Sequence, residues 1–212
     1  MLNSILSALR RSLETSERRL AYEEFLQRLD GGQVAEAAIQ PGDRAPDFLL
    51  PSAEGRLVAS AELLARGPLI VTFFRGDWCP YCAATLDALE ALLPELARAG
   101  GILVAMTPET GGRALAMKRS HGLSYEVLVD VDLVVAMEFG IVFRTPPLYL
   151  DLLRRHGIDL SEVSGNPGLM LPVPASFLID RKGVVRYVAS GTNSQRSAEV
   201  RQMIDRLIAE NN

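Results

Sequence analysis

Both cysteines of this 212-residue chain fall in one window, Cys79-Pro80-Tyr81-Cys82, which the turn Arg75-Gly76-Asp77-Trp78 separates from the apolar run LIVTFF. Thiols at that spacing admit four chemistries. A structural disulfide between them would close a minimal loop and remove little entropy from the unfolded chain. A zinc clip would need a second such pair or a pair of nearby histidines, and the two histidines, His121 and His156, stand apart in the sequence. Two inert buried thiols are the plain alternative, because cysteine often serves as a small apolar core residue. A redox centre needs an attacking thiolate and a second thiol to resolve the product, and this window supplies both.

The elements that must position such a centre are legible around it. Residues 69–74 read as a buried strand delivering the chain to a sheet edge, Gly76 and Pro80 shape a turn, and a helix opens near Pro80, a favoured residue at the first helical position. Cys79 then sits at the positive end of the helix dipole among open backbone N–H groups. That placement favours its thiolate and predicts that Cys79 has the lower pKa of the pair. Cys82 follows about one turn later on the same face, within disulfide reach.

Farther out, strands at 102–106 and 126–129 alternate with helices at 80–98, 111–121 and 132–139, an α/β rhythm that requires a central sheet. A hairpin is expected within PGDRAPDFLLPSAEGRLV at 41–58, so a compact domain begins near residue 41 and extends to 212. The segment 141–172 breaks the rhythm with Pro146-Pro147, a short helix at 147–156 and a Gly/Asn/Pro loop, as an excursion from a sheet would. ASFLID and VVRYVA, joined at Arg181-Lys182-Gly183, read as an antiparallel hairpin, and a helix over 196–210 closes the chain. Residues 1–40 form a helical amino-terminal extension, in which Leu2, Ile5, Leu6, Leu9, Leu13 and Leu20 recur at helical spacing until Gly31-Gly32. Its plain role is to pack on its own domain, with a homodimer or partner surface as the alternative.

Composition narrows the function classes. With 48% apolar residues, 23% charged and a net charge of −4, nothing suggests a nucleic-acid partner. The longest apolar runs, LIVTFF and ILVAM, fall far short of the roughly 20 residues that a membrane-spanning helix needs. Arg10 and Arg11 follow the first apolar residues instead of preceding them, unlike a secretory signal, so a cytoplasmic location is expected. Reducing systems there would hold a structural disulfide open.

Three stretches together resemble the peroxiredoxin-like branch of the alkyl hydroperoxide reductase and thiol-specific antioxidant superfamily: PGDRAPDFLLPSAEGRLV, FFRGDWCPYC and LPVPASFLIDRKGVVRY. The resemblance spans residues 41–210, and Trp78 to Cys82 looks like a thioredoxin-fold active site carrying the dipeptide of glutaredoxins. It implies a thioredoxin-like fold, with a central mixed sheet flanked by helices, and thiol-based reduction of hydroperoxides or disulfides without a cofactor. The implied partner is a thiol reductant of thioredoxin, glutaredoxin or glutathione type. Residue by residue, it implies Cys79 as the nucleophile, Cys82 as the resolving thiol and Trp78 as an aromatic wall. Pro174 would be a cis-proline that faces the cysteines and docks extended substrates.

The sequence also departs from that pattern. Counted from Cys79, the hydroxyl and proline positions that the superfamily places three and seven residues ahead hold Gly76 and Thr72, and Pro174 stands where the peroxide-activating arginine would fall. Arg75 is the candidate to supply that charge, an exposed turn arginine being the alternative. Asp77 has the plain role of satisfying the turn, TPETGG at 107–112 resembles a loop facing the active site, and His121 ends a helix before Gly122. Two other functions stay open: a disulfide reductase, and a non-catalytic redox sensor whose oxidation alters how the amino-terminal helix or the excursion binds a partner.

Overall fold

The computed structural model describes residues 37–110, 112–166, 169–190 and 196–210. The helical extension expected over 1–40 lies outside the described residues except for its last four. The chain enters through a hairpin of β1 (Leu49–Pro51) and β2 (Leu57–Ala59) and a short helix α1 (Ser60–Arg66). It continues through β3 (Leu69–Phe73), α2 (Pro80–Arg98), β4 (Ile102–Thr107), α3 (Arg113–Ser120), β5 (Glu126–Val129) and α4 (Val134–Glu138). The excursion holds β6 (Val142–Arg144), α5 (Pro147–Arg155), α6 (Leu160–Val163) and β7 (Met170–Pro172). The final unit is β8 (Ala175–Ile179), β9 (Val185–Ser190) and α7 (Arg196–Glu210).

The central sheet has the order β5-β4-β3-β8-β9, with β3, β4 and β5 parallel and β8 and β9 antiparallel to their neighbours. A parallel βαβ unit joined to an antiparallel hairpin and a closing helix is the mixed arrangement expected of a thioredoxin-like fold. Every residue of β3 is buried, which is why LIVTF is continuously apolar save for one residue and does not alternate. That residue, Thr72, pairs its hydroxyl with Ser176 across the β3–β8 register at 2.9 Å, so neither buried hydroxyl is orphaned. Phe73, Phe139 and Phe177 lock β3, β8 and the end of α4 together, with ring centroids 4.8 to 6.0 Å apart.

The two long helices pack against each other. Leu86, Leu89, Leu92 and Leu96 are the buried stripe of α2, at helical spacing. The excursion is zipped at its base, where β6 pairs antiparallel with β7, so α5 and α6 are carried on a closed arm and not on a loose loop. The entering chain crosses the end of α4: Ile39 N–H donates to the Phe139 carbonyl at 3.2 Å. A side chain at Gly140, whose φ is +71°, would meet the Ala37 carbonyl oxygen at 2.0 Å. Among the described residues, no helix is long and apolar enough to cross a membrane.

Candidate active site

β3 delivers the chain to the sheet edge, and Phe74 and Arg75 lead into the turn Gly76-Asp77-Trp78. Gly76 is required there twice over. Its φ of +147° suits only glycine, and a Cβ would lie 2.6 Å from Trp78 Nε1 and 2.7 Å from Glu109 Oε1. The Cys79 N–H closes the turn on the Gly76 carbonyl at 3.1 Å. Cys79 is the N-cap of α2 with Pro80 in its first turn, and the N–H groups of Cys82 and Ala83 donate to the Cys79 carbonyl at 3.0 and 3.1 Å. No acidic residue occupies that first turn, so the positive end of α2 faces the cysteines uncompensated. The cysteines are present as two thiols, and each is 2% exposed.

Arg75 is no exposed turn residue. It is 1% exposed, donates a hydrogen bond to Cys82, and feels the charges of Cys79, Tyr149 and Cys82. Burial works against its charge, yet those neighbours outweigh burial and hold the guanidinium charged more firmly than usual. Trp78 is also buried, with the Arg75 Cζ 6.0 Å from its ring centroid. Among the described residues its indole N–H has no hydrogen-bond partner.

The expected acidity of Cys79 is corrected here. Burial pushes the Cys79 thiol well above its ordinary range, the hydrogen bond with Cys82 pushes the same way, and the Arg75 charge only partly offsets them. The reason is one of magnitude: a helix terminus contributes about 0.3–1 kcal/mol, whereas full burial moves a pKa by about 3–5 units, each worth about 1.4 kcal/mol. Sequence position revealed the dipole but not the depth.

Pro174 is the second correction. It is buried, and the pairing of Ala175 with Phe73 puts it at the end of the sheet from which the cysteine turn departs. The Val173-Pro174 bond is nevertheless trans, as there is no cis peptide among the described residues. Both flanks fix the local path, since Val173 N–H donates to the Ile141 carbonyl at 2.7 Å and Ala175 is already registered in the sheet.

Two residues join the site that sequence reasoning had left aside. Glu109, from the TPETGG loop after β4, is buried and accepts the Asp77 N–H on Oε2 at 3.2 Å. Burial raises its carboxyl to about 7, helped by the charges of Asp77 and Cys82 and opposed by the Asp77 N–H bond and the Arg113 charge. The only signal in the sequence was its place in a loop at the end of a central strand. Tyr149, on α5 of the excursion, is buried and electrostatically coupled to Arg75, a contact that no local pattern announces. Asp77 gives its backbone N–H to Glu109, and its carboxylate meets His121 Nε2 of α3 at 3.1 Å. His121 caps the end of α3, as expected, and bridges Asp77 to Asp87 of α2, which its Nδ1 meets at 2.6 Å.

With this geometry in place, the comparisons with known proteins agree on its ancestry. The sequence model of the AhpC/TSA family matches residues 41–188. A protein named putative peroxiredoxin bcp, from Coxiella burnetii, is 24% identical over 151 residues, covering 71% of this chain and 88% of that one. The thiol-disulfide oxidoreductase ResA of Geobacillus thermodenitrificans is 25% identical over 159 residues, covering 73% of this chain and 72% of that one. Among solved structures, peroxidoxin BcpB from Mycobacterium tuberculosis superposes with a TM-score of 0.66 at 22% identity, covering 81% of this chain and 97% of that one. The fold is thus the thioredoxin-like fold of peroxiredoxins, and the chain belongs to the AhpC/TSA family.

Proposed function

We propose that this chain is a peroxiredoxin-like thiol oxidoreductase that reduces hydroperoxides by cycling Cys79 and Cys82 between dithiol and disulfide. It works in the cytoplasm, and a thiol reductant of thioredoxin, glutaredoxin or glutathione type restores the pair. The observation that carries this reading is the Arg75 guanidinium, buried against both sulfurs at the head of α2. A fixed cation in a site closed to water stabilises a thiolate and the charge that moves onto the leaving oxygen. Arg75 thereby supplies the charge that is missing where Pro174 stands.

The Cys79 thiolate attacks one peroxide oxygen, the O–O bond breaks, and the alcohol or water leaves after protonation. Cys79 becomes a sulfenic acid. Cys82 attacks that sulfur, the S–O bond breaks, and a second water departs, leaving the disulfide. Two electrons from the thiol reductant return both cysteines to thiols. A second order of events, with Cys82 attacking and Cys79 resolving, is favoured by one observation: the Arg75 hydrogen bond goes to Cys82 while Cys79 is pushed up.

Single-turnover oxidation by hydrogen peroxide, with trapping of sulfenic acid in Cys82→Ser and Cys79→Ser, tests both orders. The first order expects trapping in Cys82→Ser alone, the second in Cys79→Ser alone. A wild-type protein inert to peroxide but oxidised by glutathione disulfide would replace the peroxidase with a disulfide reductase, the activity in the name of the ResA relative.

A further inference from the structure

His121 stands between the two segments that carry the cysteines. Its Nε2 meets Asp77 Oδ1 in the turn at 3.1 Å, and its Nδ1 meets Asp87 Oδ1 on α2 at 2.6 Å. Asp77 lies two residues before Cys79, and Asp87 lies five residues after Cys82. A neutral imidazole has one N–H and one bare lone pair, so it donates to only one of two carboxylates, whereas the imidazolium donates to both. The pair of contacts therefore calls for the charged ring. Burial works against that charge, but the hydrogen bonds with Asp87 and Asp77 outweigh burial and raise the ring above its ordinary value. The other charged groups on these elements are turned elsewhere. Glu90, one turn farther along α2, takes the N–H and the hydroxyl of Ser124 at 2.9 and 2.6 Å. Lys118 of α3 pairs with Glu54 at 2.6 Å, Arg119 is exposed, and Glu109 holds the Asp77 N–H.

We infer that His121 is a positioning residue for the cysteine pair, a brace that holds the turn bearing Cys79 against α2 for as long as both ring nitrogens carry protons. Loss of one proton cuts one of the two joints, whichever nitrogen is left bare, because a lone pair then faces a carboxylate oxygen. The Asp87 side chain is 57% exposed, so it turns into water at little cost once its joint is cut. The turn is then held by the Asp77 N–H on Glu109 and the Cys79 N–H on the Gly76 carbonyl, without a tie to α2 through the ring. In the braced turn Trp78 and Cys79 are both buried. Release uncovers them and leaves Cys79 easier to reach but no longer held in its reactive place. The effect on rate rests on the proposed dithiol cycle, while the brace itself is read without turnover.

Trp78 is the chain's only tryptophan and sits in the turn, so its fluorescence reads the brace directly. Acrylamide quenching is measured on the reduced full chain at pH 6 and pH 9, in wild type, Asp87→Ala and His121→Asn. Wild type should be shielded at pH 6 and more readily quenched at pH 9, a comparison that requires no variant to fold. Each variant should be as quenchable at pH 6 as wild type is at pH 9, and combining the two should add nothing, since both cut one device. A wild-type signal that does not change with pH, or Asp87→Ala shielded at pH 6 like wild type, overturns the assignment. Stopped-flow oxidation by hydrogen peroxide then reads the positioning. At pH 6 both variants should react more slowly than wild type by up to about 10²-fold, the cost of a misplaced reacting group, and at pH 9 they should match it. A deficit of the same size at pH 9, which a merely structural role would give, or equal rates at pH 6, overturns the inference. If peroxide leaves wild type unoxidised while glutathione disulfide oxidises it, the peroxidase reading falls and the same comparison with that disulfide decides His121. If neither oxidant reacts, both readings are overturned.

Discussion

Burying a guanidinium costs several kcal/mol of hydration unless nearby anions recover it, and the groups that can do so around Arg75 are Cys79, Tyr149 and Cys82. Two of these become anionic during the proposed cycle, so Arg75 and the thiolates stabilise each other. Replacing Arg75 by Met keeps most of the volume and removes the charge. The thiolate absorbance should then titrate at higher pH, and stopped-flow oxidation by peroxide should slow by about 10²-fold or more. Arg75→Lys should fall between the two, since an ammonium restores the charge without the planar fork. An unchanged titration in Arg75→Met would remove Arg75 from the chemistry. Thr72, by contrast, spends its hydroxyl on Ser176 and belongs to the sheet.

The helix α4 shows how an element depends on a residue outside it. Its N-cap, Leu133, has a left-handed φ of +57° and offers no side-chain acceptor. Asp130 takes over, accepting the N–H groups of Val135 at 3.3 Å and Ala136 at 2.9 Å. Holding α4 matters because Phe139, directly after it, enters the aromatic cluster with Phe73 and Phe177. Asp130→Ala should cost about 1–2 kcal/mol in urea denaturation, the usual loss for a capping acceptor, with Asp130→Asn milder. A midpoint unmoved in Asp130→Ala would show that α4 needs no cap. Alternating strands and helices were readable along the sequence because each carries its own period. The zip of β6 on β7 was not, as each strand has only 3 residues and its partner lies on the far side of two helices.

At the scale of the molecule, Glu109 and His121 tie the cysteine turn to the rest of the fold and make stability depend on pH. Both have folded-state pKa values above their ordinary ones: Glu109 chiefly through burial, His121 because Asp87 and Asp77 outweigh the opposing effect of burial. A group raised in this way contributes stability that is complete below its unfolded value and lost as pH climbs through its folded value. For Glu109 that window runs from 4.5 to about 7, and for His121 it opens at 6.5 and extends upward. Thermal melts should therefore show wild-type stability declining from pH 5 to pH 8. Glu109→Gln should be more stable than wild type at pH 8 and equal to it at pH 4, and His121→Asn should lose the part of the decline above pH 6.5. Melting curves for the variants that run parallel to wild type across this range would contradict the linkage.

The sequence by itself determined the pair of thiols, the strand that presents them, the helix that begins at Pro80 and the α/β order of the elements. These follow from local spacing, from turn residues and from periods of apolar residues, all of which act over a few positions. The family was legible for the same reason, in three short stretches. Only the tertiary structure decided how deep the site lies. Arg75 read as either a turn residue or a cation for the site, and it is buried with Trp78, the two cysteines and Tyr149 of the excursion as its neighbours. Cys79 looked acidic from its place on the helix, but burial reverses the direction. Glu109 and Tyr149 come from segments 30 and 70 residues beyond Cys79, brought in by the sheet and by the zipped arm. Pro174 reached the expected end of the sheet, through the pairing of Ala175 with Phe73, but with a trans bond. Desolvation and charge coupling depend on what surrounds a group in three dimensions, and those are the quantities that no local pattern records.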